Sequence, residues 1–288
     1  MNVAHRPEEL EPARRAVAIG TFDGVHRGHR RVLEAACAAR LRSTVVTFDP
    51  HPRTVFGSRI ELLTTLERRL ELLEESGVED ALVLRFDEAL ASLEPEVFAD
   101  VVLRAIGAEV VAAGDGFRFG RRRAGDLAVL EALGFDVRRV PLVDNVSSSH
   151  VRALLTAGDV VHAAKLLGRP AEVEGAVGHG DHRGATLGFP TANLVVPPDL
   201  LVPALGIYAG TALGQRAAIS IGTNPHYGGT ERRVEAYLLD YEGALYGRRV
   251  VLELWERLRD EAAFASEAEL IAAIDDDVRR TRKAVRPG

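Results

Sequence analysis

The 288-residue chain has one cysteine, one methionine and one tryptophan. A lone thiol, Cys37, excludes an intramolecular disulfide framework and a cysteine-cluster metal site. Inside AACAAR it reads as a small apolar packing residue. No apolar run approaches the roughly 18 residues that a membrane-crossing helix needs. The opening MNVAHRPEELEPARR also lacks the apolar core of a secretion signal. No membrane partner is therefore expected, and the cytoplasm is the expected setting. Basic excess is missing too: 36 Lys and Arg stand against 42 Asp and Glu, a formal charge of −6, so nucleic acid is not an expected partner. Any polyanion handled here should be small and held in a local pocket. Internal repeats are absent. What remains is ordinary for a globular protein, with 47% hydrophobic and 27% charged residues. The length suits two domains.

Residues 16–143 alternate between short apolar runs and helix-like stretches. The runs are AVAIG (16–20), STVVTF (43–48), ALVLRF (81–86), EVVAAG (109–114) and FDVRRVPLV (135–143). Between them lie RRVLEAACAARL, LERRLELLEESG, EPEVFADVVLRAIG and DLAVLEAL, two of which stop on Gly77 and Gly107. Such alternation predicts a parallel sheet covered by helices on both faces, with ligands at the carboxyl ends of the strands. SSSHVRALLTAGDVVHAAKLLGRP then reads as two short helices closed by Gly168 and Pro170. Beyond it AEVEGAV, GIYAGTAL, RAAISIG, RVEAYLLD and RRVVLELW follow one another without helices, which predicts an antiparallel sheet or barrel. SEAELIAAIDDDVRRTRKA closes the chain as a helix with Leu270, Ile271, Ile274 and Val278 on one face. The boundary between the two halves is placed near 169–173.

Five stretches carry candidate chemistry. In GTFDGVHRGH (20–29) a glycine-rich turn joins a strand to a helix, where backbone N–H groups and the helix N-terminus favour phosphate. His26 and His29 can donate to phosphate oxygens there, although an isolated HxxH is more often a pair of solvated imidazoles. TFDPHP (47–52) is a rigid, extended loop at the same sheet edge, either a connector or a pocket wall. VSSSHVR (146–152) offers hydroxyls that serve equally as helix caps or, with Arg152, as triphosphate ligands. HGDHRGATLGFPTANL (179–194) combines Gly180, Gly184 and Gly188 with the hard oxygen donors Thr191 and Asn193, a set that suits Mg²⁺. No GK[ST] follows, so it is not a Walker loop. Glu235 lies in an alternating strand on the face opposite Val234 and Ala236, where a carboxylate can take a proton from a substrate hydroxyl.

Together these stretches resemble the prokaryotic bifunctional riboflavin kinase/FMN adenylyltransferase (FAD synthetase) family, in the family's order and over roughly 16–283. GTFDGVHRGH resembles G-x-FDG-x-H-x-GH, TFDPHP resembles TF-[DE]-PHP, and GDGFRFG (114–120) resembles G-x-[DN]-F-x-FG. VSSSHVR resembles SST-x-[IV]-R, LLGRP matches the segment before the linker, and GATLGFPTANL resembles G-x-x-x-GFPTAN. IGTNPHYGG, VEAYLLD, YG and LRDEAAFAS complete the second half. FDGVHRGH joined to GFPTAN in one chain is highly specific. Two departures stand out: Gly116 replaces the pattern's Asp or Asn, with Asp115 one position earlier, and Ser149 replaces a threonine.

The resemblance implies a Rossmann-like nucleotidyltransferase domain at 1–170 and an antiparallel β-barrel riboflavin kinase domain at 171–288. It implies ATP as co-substrate, Mg²⁺ as cofactor, and riboflavin, FMN and FAD as substrates or products. Glu235 would be the kinase base, and Thr191 and Asn193 would hold Mg²⁺ and nucleotide phosphates. His26 and His29 would stabilise the transferring phosphoryl group. Gly20, Phe22, Asp23, Gly24, Gly28, Ser147, Ser148, Arg152, Gly184 and Gly188 would contribute to ATP binding. Pro50, His51, Pro52, Asp115 and Phe117 would contact flavin. Partners are expected to be small molecules, with the chain a monomer or homo-oligomer. Two other readings stay open: a kinase whose adenylyltransferase is weakened or altered in specificity through Gly116, and a non-catalytic flavin-binding module.

Overall fold

The computed structural model describes residues 1–179, 188–223 and 232–288. Packing divides the chain into two compact units, residues 1–61 with 65–147, and residues 62–64 with 148–288.

The first unit contains β1 (Asn2–Ala4), β2 (Arg15–Ile19), α1 (Arg27–Cys37), β3 (Arg42–Asp49), α2 (Pro52–Val55) and α3 (Leu66–Glu75). It continues through β4 (Asp80–Arg85), α4 (Glu88–Ala91), α5 (Pro95–Phe98), β5 (Ala108–Gly114), α6 (Leu127–Ala132) and β6 (Asp136–Val140). Residues 99–104 prolong α5 in a wider π turn. Six strands pair in the order β1-β4-β3-β2-β5-β6, every pair parallel. Alternate residues of each strand reach opposite faces. Ala16, Ala18, Val45 and Ala112 pack with Leu33 of α1 and Leu72 and Leu73 of α3. Val17, Ile19, Val46 and Val111 pack with Phe98 of α5 and Leu130 of α6. Both faces being covered, the strands read as continuous apolar runs. Truncating a fully buried leucine such as Leu33 would cost about 2–5 kcal/mol. At the amino ends of the strands, buried Asp80 accepts from Arg15 Nη1 at 2.7 Å and from Arg42 Nε at 2.7 Å. β1, only three residues long, has no counterpart among the sequence expectations.

In the second unit α7 (Ser148–Thr156) and α8 (Val160–Leu167) precede β7 (Ala171–Gly178), β8 (Ala192–Val195), β9 (Gly206–Ala212), β10 (Gln215–Thr223), β11 (Arg232–Leu238) and β12 (Arg249–Arg259), and α9 (Glu267–Lys283) follows. The strands close into an antiparallel barrel, β10-β11-β8-β7-β12-β9. Its interior holds Val173, Leu194, Tyr208, Ile219, Val234 and Leu252. At Gly210 the neighbouring strand comes so near that a Cβ would lie 1.8 Å from the Glu253 carbonyl oxygen, so only glycine fits.

Val151, Leu155, Val160, Ala163 and Leu167 of the helical pair join the same apolar cluster. The packing division therefore falls between 147 and 148, ahead of the 169–173 boundary read from the change of pattern. The pattern marks where helices give way to strands; packing marks whose core the helices enter. α9 carries its expected apolar stripe on its less exposed face, with two polar residues buried on that same face. Asp277 and Thr281 are its buried residues, and Leu270, Ile271, Ile274 and Val278 are half-buried. Asp277 is buried with an ion pair: Arg259 Nη2 of β12 donates to it at 2.7 Å, and Nε at 3.0 Å.

Candidate functional site

In the first unit, β2 runs to β3 on one side of the sheet, and after β4 the chain returns to β5 on the other side of β2. The carboxyl ends of β2 and β5 thus form a topological switch point, where a ligand crevice is expected. Loops 20–26, 49–52 and 114–117 all leave adjacent parallel strands at this edge.

The first loop is tightly wound. Phe22, Gly24 and Val25 have φ of +50°, +83° and +39°. For β-branched Val25 this is a strained conformation, of a kind that concentrates at functional sites. Phe22, Asp23, Gly24, Val25 and His26 are all buried. His26 caps α1, its Nδ1 accepting from the His29 N–H at 3.2 Å. A nitrogen that accepts carries no proton, which leaves Nε2 as the side of the His26 ring that can donate. The His26 and His29 rings stack with centroids 3.6 Å apart, and Phe22 meets His29 edge-on at 5.3 Å. Nδ1 of His29 is shut off from solvent without a hydrogen-bond partner. Burial first, then the neighbouring His26 and Arg69, hold this imidazole well below the ordinary histidine pKa, so it is neutral at pH 7. At Gly28 a Cβ would sit 3.2 Å from Cε1 and Nδ1 of His26, which accounts for the glycine between the histidines. Gly20 similarly faces the Phe22 ring at 3.3 Å.

At the second loop the Asp49–Pro50 peptide is cis, and buried His51 caps α2, its Nδ1 accepting from the Arg53 N–H at 3.2 Å. Pro52 opens α2. At the third loop, Asp115 N–H donates to the Val140 carbonyl, and the Phe117 ring stacks on Phe119 at 5.6 Å. Nothing lies within 4 Å of a Cβ placed on Gly116. His26, His29, Pro50, His51, Pro52, Asp115 and Phe117 thus share one edge of one sheet. Ser147 ends this unit, while Ser148 and Arg152 belong to α7 of the second. The assignment of these three to triphosphate rests on the resemblance alone. Arg69 of α3 was not singled out in the sequence, because a helical arginine reads as a solvated one. Here it is wholly buried beneath the first loop.

In the second unit, β11 pairs with β8 so that Glu235 stands opposite Asn193. Val234 and Ala236 are buried, leaving Glu235 half-buried on the outer face. Thr191 immediately precedes β8. Phe189 meets Tyr237 edge-on at 5.5 Å on this face. Arg233 binds both candidates: Nη2 and Nε donate to Asn193 Oδ1 at 2.9 and 3.0 Å, and Nε lies 2.6 Å from Glu235 Oε1. Sequence reasoning missed Arg233, although its spacing two residues from Glu235 on one strand face was available. Asn193 and Glu235 oxygens therefore already converge on one cationic group. Those oxygen donors are of the type that fits a hard cation such as Mg²⁺. Among the described residues no cluster of three His, Cys, Asp or Glu side chains is suited to a metal, so phosphate and water oxygens would complete a coordination shell. Gly188 is described, with φ +87°. Gly180, Gly184 and residues 224–229 of the IGTNPHYGG stretch lie outside the described residues.

A parallel sheet with paired imidazoles at its switch point, followed by a closed barrel bearing a carboxylate beside an amide, has the fold class and side-chain chemistry that suit a transferase acting on phosphate groups. The model of the FAD synthetase family matches residues 8–152, and that of the riboflavin kinase family matches residues 167–285. Bifunctional riboflavin kinase/FMN adenylyltransferase of Listeria monocytogenes is 35% identical, over 96% of each chain. Its Escherichia coli K12 counterpart is 36% identical over 91% of this chain and 90% of that one. A crystal structure from Streptococcus pneumoniae, described as a macrolide-efflux protein, superposes with a TM-score of 0.88 at 30% identity, covering 98% of this chain and 99% of that one. Among the described residues here, no helix is long and apolar enough to cross a membrane. The chain belongs to the bifunctional riboflavin kinase/FMN adenylyltransferase (FAD synthetase) family. It is an enzyme with both activities, producing FMN and FAD, and ATP and flavins are its substrates.

Proposed function

We propose that the two reactions divide between the two units, with FMN made at the barrel and adenylylated at the sheet. In the barrel, Glu235 takes the proton of the ribityl 5′-hydroxyl of riboflavin. The freed oxygen attacks the γ-phosphorus of ATP, the bond to the β,γ-bridging oxygen breaks, and ADP leaves. Arg233 holds the carboxylate and the Asn193 amide in register. Thr191 and Asn193 would hold Mg²⁺, which when bound neutralises phosphate charge.

At the sheet, a phosphate oxygen of FMN attacks the α-phosphorus of a second ATP. The bond to the α,β-bridging oxygen breaks, and pyrophosphate leaves with the electron pair. The first turn of α1 offers backbone N–H groups and favourable partial charge, and the His26 Nε2–H donates to the phosphoryl oxygens as charge develops. His29, neutral and stacked on His26, fixes that ring and lends a second donor. Pro50, His51, Pro52, Asp115 and Phe117 form the flavin side of the crevice. No step needs a protein nucleophile, consistent with Cys37 being the only thiol. Both steps consume ATP, in keeping with the cytoplasmic setting expected from the sequence.

What carries this reading is that the imidazole pair lies in one compact unit and the Glu235–Asn193 pair in the other. Purified chain given riboflavin, ATP and Mg²⁺ should show FMN rising first and FAD after it. Glu235→Gln should lower riboflavin phosphorylation by about 10²–10⁴-fold, the range for losing a general base, and spare FAD formation from supplied FMN. Phosphorylation within twofold of the unaltered chain would remove Glu235 from this role.

A further inference from the structure

Arg69 lies on the buried side of α3, and its side chain has no exposure at all. Its Nη1 donates to the Thr21 carbonyl at 3.0 Å and to the Phe48 carbonyl at 3.1 Å. Thr21 belongs to the loop that leads to the histidines, and Phe48 to the end of the strand that leads to His51. One guanidinium therefore ties together the strand ends that carry two of the three site loops. The Thr47 hydroxyl reinforces the tie, donating to the same Thr21 carbonyl at 3.2 Å.

The rest of the guanidinium is under-satisfied. Nε and Nη2 are buried with no hydrogen-bond partner, and Nη2 reaches no nearer than 4.0 Å to Asp49 Oδ1. Arg15, the other wholly buried arginine of this unit, is different: its Nη1 binds Asp80 at 2.7 Å, its Nη2 binds the Glu11 carbonyl, and only Nε is without an acceptor. An arginine kept purely as a brace would be expected to have its charge matched as Arg15 has, because an uncompensated buried cation is costly. Burial pulls the Arg69 guanidinium below its ordinary pKa, opposed by Asp23 and Asp49. The group remains charged, and it acts on His29 from close range.

We propose that Arg69 is a positioning residue for adenylyl transfer, fixing the spacing of the β2 and β3 strand ends and supplying an under-compensated positive charge beneath the loop that receives the polyphosphate. The inference rests on the assignment of His26 and His29 to that reaction. It places a cation below the phosphate loop on an element outside all the motifs of the first unit, and no contact with substrate is required.

The full chain carrying Arg69→Met, Arg69→Lys or Arg69→Gln tests it, with His29→Ala alongside. Arg69→Met should lower kcat for FMN adenylylation by about 100-fold, the scale set by loop misplacement of about 1 Å, and change KM for FMN by less than about threefold. Arg69→Lys keeps the charge and can donate to both carbonyls, so it should regain at least about tenfold of that loss. Riboflavin phosphorylation, carried by the other unit, should be unchanged in all of them and reports that the chain is folded. Where Arg69→Met does not fold, Arg69→Gln takes its place, since it keeps a donor for the carbonyls and removes the charge. Adenylylation at the unaltered rate in Arg69→Met or Arg69→Gln would overturn the proposal. So would equal impairment of the lysine variant and its uncharged counterpart at equal melting temperature. If His29→Ala leaves adenylylation intact, the underlying site assignment fails; if His29→Ala abolishes it and loss of Arg69 does not, only this inference fails.

Discussion

Replacing Gly28 by alanine separates the stability of α1 from its chemistry. The new Cβ would meet Cε1 and Nδ1 of His26 at 3.2 Å, inside ordinary contact distance, so the ring must retreat by a few tenths of an ångström. That ring has little room, because Nδ1 accepts from the His29 N–H at 3.2 Å and the His29 ring stacks on it at 3.6 Å. Both imidazoles shift together. If misplacement by about 1 Å costs about 100-fold, a shift of this size should cost about tenfold in kcat for FAD formation. Stability should respond with partly cancelling signs. Alanine in a helix gains about 0.5–1 kcal/mol over glycine, while a weakened cap loses about as much. Adenylylation of FMN, followed by chromatography, should therefore fall with little change in melting temperature. Phosphorylation of riboflavin by the same sample should be unaffected and serves as the internal control. Unchanged FAD formation in Gly28→Ala would refute the claim that the relative placement of the two imidazoles matters.

Gly116→Asn has open space to enter, so it should fold without penalty and, by restoring a polar contact worth about 0.5–1.5 kcal/mol, raise FAD synthesis about two- to tenfold; no rise in steady-state rate would mean that the native loop lacks nothing there. His29 is neutral when folded and its pKa is depressed, so below about pH 6.5 the unfolded chain binds more protons than the folded one. The first unit should accordingly lose stability as pH falls from there, and His29→Ala should flatten that dependence in denaturant titrations at several pH values. Arg233→Ser removes the guanidinium shared by Asn193 and Glu235, and since these side chains are only half-buried the stability change should stay within about 1 kcal/mol. The riboflavin kinase kcat should drop several-fold while adenylylation holds, and equal kinetics for both reactions would dismiss Arg233 as a positioning group.

Much of this site was legible in the sequence because strand-end loops carry it. Once β2, β3 and β5 are read as parallel neighbours, His26, Pro50, His51 and Asp115 fall at one edge by topology alone. The facing of Glu235 away from Val234 and Ala236 follows from two-residue alternation. What stayed hidden has physical reasons. β8 lies within a glycine-rich stretch whose apolar run, Ala192–Val195, is too short to stand out from its turn residues. On α9 the apolar stripe faces inward as its periodicity implies, but Asp277 is buried on that same face with Arg259 of β12, a partner that the helix's own sequence does not reveal. Arg69 is buried through two carbonyl oxygens far from it in sequence, a pattern that helical periodicity does not encode. The helices α7 and α8 were recognised as helices, but which core they enter depends on Val151, Leu155 and Leu167 meeting barrel residues more distant along the chain.

The division of labour is tested most directly by mixing two inactivated chains. Glu235→Gln alone, given riboflavin and ATP, should make FMN and FAD at least about 100-fold more slowly than the unaltered chain, and His29→Ala alone should stop at FMN. Combined in one vessel, they should make FAD from riboflavin, since each supplies the site that the other lacks. A single substitution that erased both half-reactions in a folded chain, leaving the mixture inert, would contradict the assignment of the two reactions to two units.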